Sequence, residues 1–120
     1  MQYMLLIYVD EAQLEGRDEA EAQATTREYM TFTGSIRESG NFVDGARLEP
    51  STMATSVRVR DGQTLVTDGP FAETKEQLGG FYQLDVPSLD EALAWAKRVP
   101  SGEYGSVEVR PIWPREEFMT

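Results

Sequence analysis

The sequence predicts an α+β domain in which two helices and a set of antiparallel strands share one core. Three observations predict it. Residues 3–9, Tyr-Met-Leu-Leu-Ile-Tyr-Val, form an unbroken apolar run with the length and composition of a strand buried on both faces. Two segments, opening at Asp18 and Ser88, combine a helix-capping residue, a Glu three positions on and apolar residues at helical spacing. Between them Asp61-Gly62 separates two β-rich runs, a strong hairpin signal.

The totals suit such a domain. The chain has 120 residues, enough for one domain and a core without staples. We place the domain at residues 1–113, with 114–120 as a C-terminal tail. The apolar fraction is 40% and the charged fraction 27%, ordinary for a globular protein. Net charge is 11 − 21 = −10, which disfavours direct nucleic-acid binding because that needs a basic footprint. Cysteine and histidine are both absent. Disulfides, thiolate nucleophiles and zinc–thiolate sites are thereby excluded, and any acid–base chemistry falls to Asp, Glu, Lys or Tyr. The N-terminal apolar run is too short for a signal peptide or a membrane span, so the chain is read as cytoplasmic and unconnected with membranes.

In order, the strand at 3–9 leads into a polar stretch, 10–17, read as a loop broken by Gly16. Residues 18–39 read as a long helix. Acids crowd its first turn, Ala22, Thr25, Tyr29, Phe32 and Ile36 share a face, and Gly40 suits the position just past its end. Phe42-Val43 offers a short strand, Asp44-Gly45 a turn, and residues 48–50 a further loop. Residues 54–60 and 63–67 are the two arms of the hairpin, with Val57 and Val59 on one face and Arg58 and Arg60 on the other. Residues 68–80 form a connecting segment in which Phe71 is expected to plug the core. The next strand, 81–86, puts Tyr82, Leu84 and Val86 inward and Phe81, Gln83 and Asp85 outward.

The second helix starts at Ser88, with Leu89, Ala92, Leu93, Ala96 and Val99 as its buried stripe and Trp95 beside it; Pro100 ends it. After a loop at 101–105 comes a last strand, 106–112, with Val107 and Val109 inward. The order β-α-β-hairpin-β-α-β predicts a ferredoxin-like split βαβ arrangement with an inserted β-hairpin. Two helices cover one face of such a sheet. The other face carries aromatics and is expected to be closed by a second subunit, which makes the protein a homodimer.

The run Asp68-Gly69-Pro70-Phe71-Ala72-Glu73-Thr74-Lys75-Glu76, followed by Leu78-Gly79-Gly80-Phe81-Tyr82, resembles the signature of the DGPF branch of the YCII-related proteins. The stretches Ser88 to Ala96 and Val107-Glu108-Val109-Arg110-Pro111-Ile112 agree with it. The resemblance implies a dimeric α+β barrel of ferredoxin-like subunits. It also implies a link to small-molecule breakdown, where a His–Asp pair acts in some members; the histidine position falls at or near Tyr29 here, a tyrosine in a chain without histidine. The branch further implies a functional association with an alternative sigma factor, and hence a regulatory or accessory role.

Two functional readings follow. The first is a dimeric ligand-binding or regulatory module. The second is a cofactor-independent lyase, isomerase or hydrolase with Asp68 as acid/base. Asp68 ends a strand before Gly-Pro, where its carboxylate either accepts backbone N–H bonds from the turn or faces a cleft as a base. Tyr29 is a candidate acid or hydrogen-bond donor, against the reading of a packed helix tyrosine. Arg47 is suited to hold a carboxylate, Glu73 and Lys75 to line a cleft entrance for an anionic or polar ligand, and Phe81 to contact it. No metal-loop or phosphate-loop spacing occurs, so neither a metal nor a cofactor is expected.

Overall fold

The computed structural model describes residues 1–101 and 105–118. Residues 102–104, within the predicted loop, and the last two of the tail lie outside the described residues. The elements run β1 (Gln2–Val9), α1 (Glu11–Glu15), α2 (Glu19–Ser39), β2 (Phe42–Arg47), a 3₁₀ turn (Ser51–Met53), β3 (Thr55–Arg60), β4 (Gln63–Asp68), β5 (Gln77–Asp85), α3 (Leu89–Ala96), β6 (Gly105–Pro111) and a final turn α4 (Arg115–Phe118).

Four strands form an antiparallel sheet in the order β2-β5-β1-β6, and β3 pairs with β4 in a separate two-stranded sheet. Each helical crossover joins strands separated by one other, β1 to β2 across β5 and β5 to β6 across β1, which is the split βαβ arrangement. Alternation along β1 puts Tyr3, Leu5 and Ile7 on the helix side. They are joined there by Tyr82, Leu84 and Val86 and by Phe32, Ile36, Ala92 and Val99 from the helices. The opposite face is set by the register: Leu6 stands opposite Phe81 and Glu108, and Met4 opposite Gln83 and Arg110. Both long helices belong to the first face.

The helix boundaries follow the capping chemistry. The Asp18 carboxylate accepts from the Glu21 N–H at 2.8 Å, and Gly40 ends α2 in the left-handed region at φ 83°. Ser88 caps α3 by accepting from the Glu91 N–H at 3.3 Å.

Several expectations are corrected. Residues 10–17 are not simply a loop: Asp10 caps the single-turn helix α1, its carboxylate accepting from the Ala12 N–H. Asp44-Gly45 is not a turn but part of β2, just past a bulge. Gly45 faces the Tyr82 ring there, and a methyl group in its place would stand 3.0 Å from the ring. Gly79-Gly80 likewise lies inside β5, which begins at Gln77. Ala22 is exposed. In α3, Leu89 and Leu93 are exposed and only Ala92 is buried, because a helix of two turns turns just one narrow side to the sheet. Trp95 does the packing instead, its ring 6.2 Å from that of Phe32 in an edge-to-face arrangement.

The molecule is a slab of 49 × 47 × 18 Å. Its thin dimension matches one sheet plus one helix layer. The radius of gyration of 16.5 Å exceeds the ~14 Å of a compact chain of this length, as expected when a hairpin stands away from the body.

Candidate functional site

The six candidate residues fall into three places. Asp68, Glu73 and Lys75 lie on or after the hairpin, Phe81 on the open face of the sheet, and Tyr29 and Arg47 on its helix side, Tyr29 packed on the core and Arg47 exposed at the end of β2.

Asp68 is the last residue of β4, opposite Thr55, and is exposed. Gly69 follows at φ 97°, a conformation that suits glycine alone among common residues. Its N–H donates to the Ala54 carbonyl at 2.6 Å, and its own carbonyl accepts from the Ser56 hydroxyl at 2.7 Å. The Arg58 guanidinium donates to the Phe71 carbonyl at 2.7 Å. The Gly-Pro-Phe run is thus folded back along β3 and braced by two of its side chains. Phe71 does not plug the core. It is 76% exposed and borders a shallow groove along residues 55–60, because the hairpin that carries it does not lie on the body.

Glu73 and Lys75 are exposed, and neither forms an ion pair among the described residues. The end of this loop is tied down. Gln77 donates to the Thr74 carbonyl at 2.5 Å and accepts from the Glu11 N–H at 3.2 Å. The Glu11 carboxylate in turn accepts from the Ser51 N–H at 2.7 Å and from the Ser51 hydroxyl. Helix α1 is therefore the clamp between both ends of the hairpin insertion and the sheet.

Tyr29 is half-buried against the core on α2. Burial pushes its phenol above the ordinary tyrosine value, with Tyr82 adding to the rise. Ser101, Arg47 and Arg17 pull it part of the way back. The net direction is upward, so the phenol holds its proton more firmly than a free tyrosine. Five residues from separate elements make up the setting. One helical turn on from Tyr29, Thr33 shares a 2.7 Å hydrogen bond with the buried Tyr82 hydroxyl. Arg47 closes β2 opposite Gly80, on the same side of the sheet as Tyr82. Arg17 enters α2 and donates to Thr25. Ser101, just past Pro100, is buried, and its hydroxyl is the buried side-chain polar atom among the described residues that lacks a hydrogen bond of full geometry.

Of these, Arg17, Tyr82, Thr33 and Ser101 were not foreseen as site residues. Only Tyr82 carried a sequence signal, its inward place in β5. A second shallow groove, bordered by Arg27, Glu28 and Arg98, runs between α2 and the end of α3 and is open surface. Among the described residues no cluster of three potential metal ligands occurs. No helix among them is long and apolar enough to cross a membrane.

A family model for the YCII-related domain matches residues 1–116. The chain belongs to the YCII-related family. An uncharacterized protein of Rhizobium meliloti (strain 1021) is 42% identical over 114 residues, covering 93% of this chain and 92% of that protein. Among solved structures, the 5-chloro-2-hydroxyhydroquinone dehydrochlorinase of Burkholderia phenoliruptrix AC1100, in complex with 2,5-dihydroxybenzoquinone, has a TM-score of 0.51. It is 11% identical, with 94% of each chain covered, so the likeness is one of fold.

Proposed function

We propose that this YCII-related chain is a homodimeric ligand-binding module of the DGPF branch, with a regulatory or accessory role. Its ligand is a small anionic or polar organic molecule held at the Tyr29–Arg47–Ser101 cluster. One observation carries the reading. The buried Ser101 hydroxyl sits beside the half-buried Tyr29 phenol, and the Arg47 and Arg17 guanidinium groups are near enough to act on it. Such a set offers hydroxyl donors and fixed positive charge to an incoming carboxylate or phenolate, which is the chemistry of a binding site more than of proton abstraction. The homodimer is supported by the open sheet face, where Leu6 and Phe81 form an apolar centre flanked by the Gln2–Gln83 amide pair. Glu73 and Lys75 serve this reading as rim residues, and the sigma-factor association implied for the branch gives the regulatory role a context.

The enzyme alternative needs Asp68 beside the reacting atoms. In the single chain Asp68 is exposed on the hairpin and is not among the groups acting on Tyr29. Native mass spectrometry of the purified protein tests the main reading, followed by calorimetric titration with a panel of small aromatic carboxylates. We expect a bound or bindable member whose affinity falls roughly ten- to a hundredfold in Arg47→Gln, the loss of one charge-assisted hydrogen bond. A panel that binds nowhere, or binds Arg47→Gln as well as the parent, would sink the reading.

A further inference from the structure

The hairpin is built like an element whose neighbour is missing. All residues of β3 and β4 except Ser56 are exposed. Opposed residues share a face, so Val57, Val59 and Val66 lie together with Thr64, at 62%, 59% and 63% exposure for the valines, and Thr55 and Asp68 close the same face at the end nearer the body. The other face carries Arg58, Arg60, Leu65 and Thr67, with Phe71 folded back beside it. A two-stranded hairpin alone is marginal in water and needs something apolar to lie on. The body of its own chain does not supply it, since β3 and β4 pack appreciably only on each other.

We propose that the β3–β4 hairpin is an exchange arm: its valine face packs on a second copy of this chain, and the second copy's arm packs back. The inference deepens the homodimer named above and rests on it. Charge selects the occupant. The chain carries −10, so two bodies approaching each other repel. The arm does not share that charge: Arg58 and Arg60 balance Asp61 and Asp68, leaving the whole excess on the rest of the chain. A neutral arm with an apolar face is the part of one acidic copy that another acidic copy can accept, while Arg58 and Arg60 stay on the opposite face, turned away from that contact. Size then asks for reciprocity. Six-residue strands make an arm about 20 Å long and roughly 10 Å wide, or about 200 Å² per face. A stable contact needs near 800 Å² per partner, so one arm is not enough. Two arms related by a twofold axis, with the open sheet face between them, approach it.

The arm carries its own reporter, because trypsin cuts after Arg58 and Arg60. The experiment follows sedimentation velocity and limited trypsin digestion of the parent, of Val57→Glu/Val66→Glu and of Thr67→Glu on the opposite face. The parent should sediment as a dimer and resist cleavage at both arginines. The double variant should weaken the dimer at least about tenfold and be cut quickly, while Thr67→Glu behaves as the parent. Equal unfolding midpoints for all three, measured at dilutions where copies are separate, confirm that the body is intact in each. A double variant that stays dimeric and protected overturns the arm but leaves the homodimer standing. A monomeric parent with both arginines readily cut overturns both, and the ligand reading is judged separately by its own titration.

Discussion

The four-stranded sheet and the hairpin are made of similar material and meet opposite fates. Both are antiparallel, and both are rich in β-branched or aromatic residues whose side chains alternate between two faces. In the sheet that alternation buries Leu5 and Leu84 completely. In the hairpin it leaves three valines in water. The difference is not in the strands but in what covers them. Helices α2 and α3 are held over the sheet by short crossovers, and among the described residues no helix or other sheet packs appreciably on the hairpin. Strand pattern and turn chemistry specify pairing; burial has to be delivered by another element.

Leu84 and Val66 give the comparison its largest test. Leu84→Ala should cost about 2–5 kcal/mol in urea unfolding, the range for an apolar side chain removed from a closed core. Val66→Ala, measured at dilutions where copies are separate, should stay within about 0.5 kcal/mol. Equal losses at the two positions would mean that the arm is part of the folding unit and that the contrast is false.

A smaller effect should come from the backbone. Gly80 sits where β5 passes closest to β2, and a methyl group on it would stand 2.8 Å from the Ala46 carbonyl oxygen. That atom is main chain in a paired strand and yields poorly. Gly80→Ala should therefore cost roughly 1–3 kcal/mol by thermal or urea unfolding. A neutral outcome would show that β2, with its bulge, is a soft edge and belongs with the hairpin more than with the sheet.

This pair of glycine-rich sites also shows what could be read in advance. The capped helices, the first strand, the hairpin and the split βαβ order were legible, because Asp18, Ser88, Gly40 and Asp61-Gly62 act through neighbours a few residues away. Asp61 and Gly62 do turn the hairpin at φ 53° and 76°. Asp44-Gly45 carries the same local signal and is not a turn, since Gly45 is where β2 must pass the Tyr82 ring. Phe71 was misplaced for a similar reason: its hydrophobicity is local, but whether a core lies beneath it depends on where the whole hairpin goes. The site was half legible. Tyr29 and Arg47 could be named from residue type, but Ser101 and Arg17 join them only through the packing of chain ends that are far apart in sequence.

The smallest predicted effect concerns the chemistry of that site. The Tyr29 phenol is raised above its ordinary value of 10.0, chiefly by burial. In the unfolded chain it titrates near that ordinary value. Below it both states hold the proton, and Tyr29 contributes no pH dependence. Above it the unfolded chain releases the proton first, so the folded state binds more protons and stability falls as pH rises toward the folded value. Tyr29→Phe should remove this part of the alkaline slope, while at neutral pH it changes stability by no more than about 1 kcal/mol. The other tyrosines give a background common to both proteins, so the difference between the two urea-unfolding series across alkaline pH isolates Tyr29. An unchanged slope would mean that water reaches the phenol as freely as it reaches the hairpin. Tyr29 would then be no better enclosed than the valines of the arm, and the cluster would lose the neutral donor on which its claim to a ligand depends.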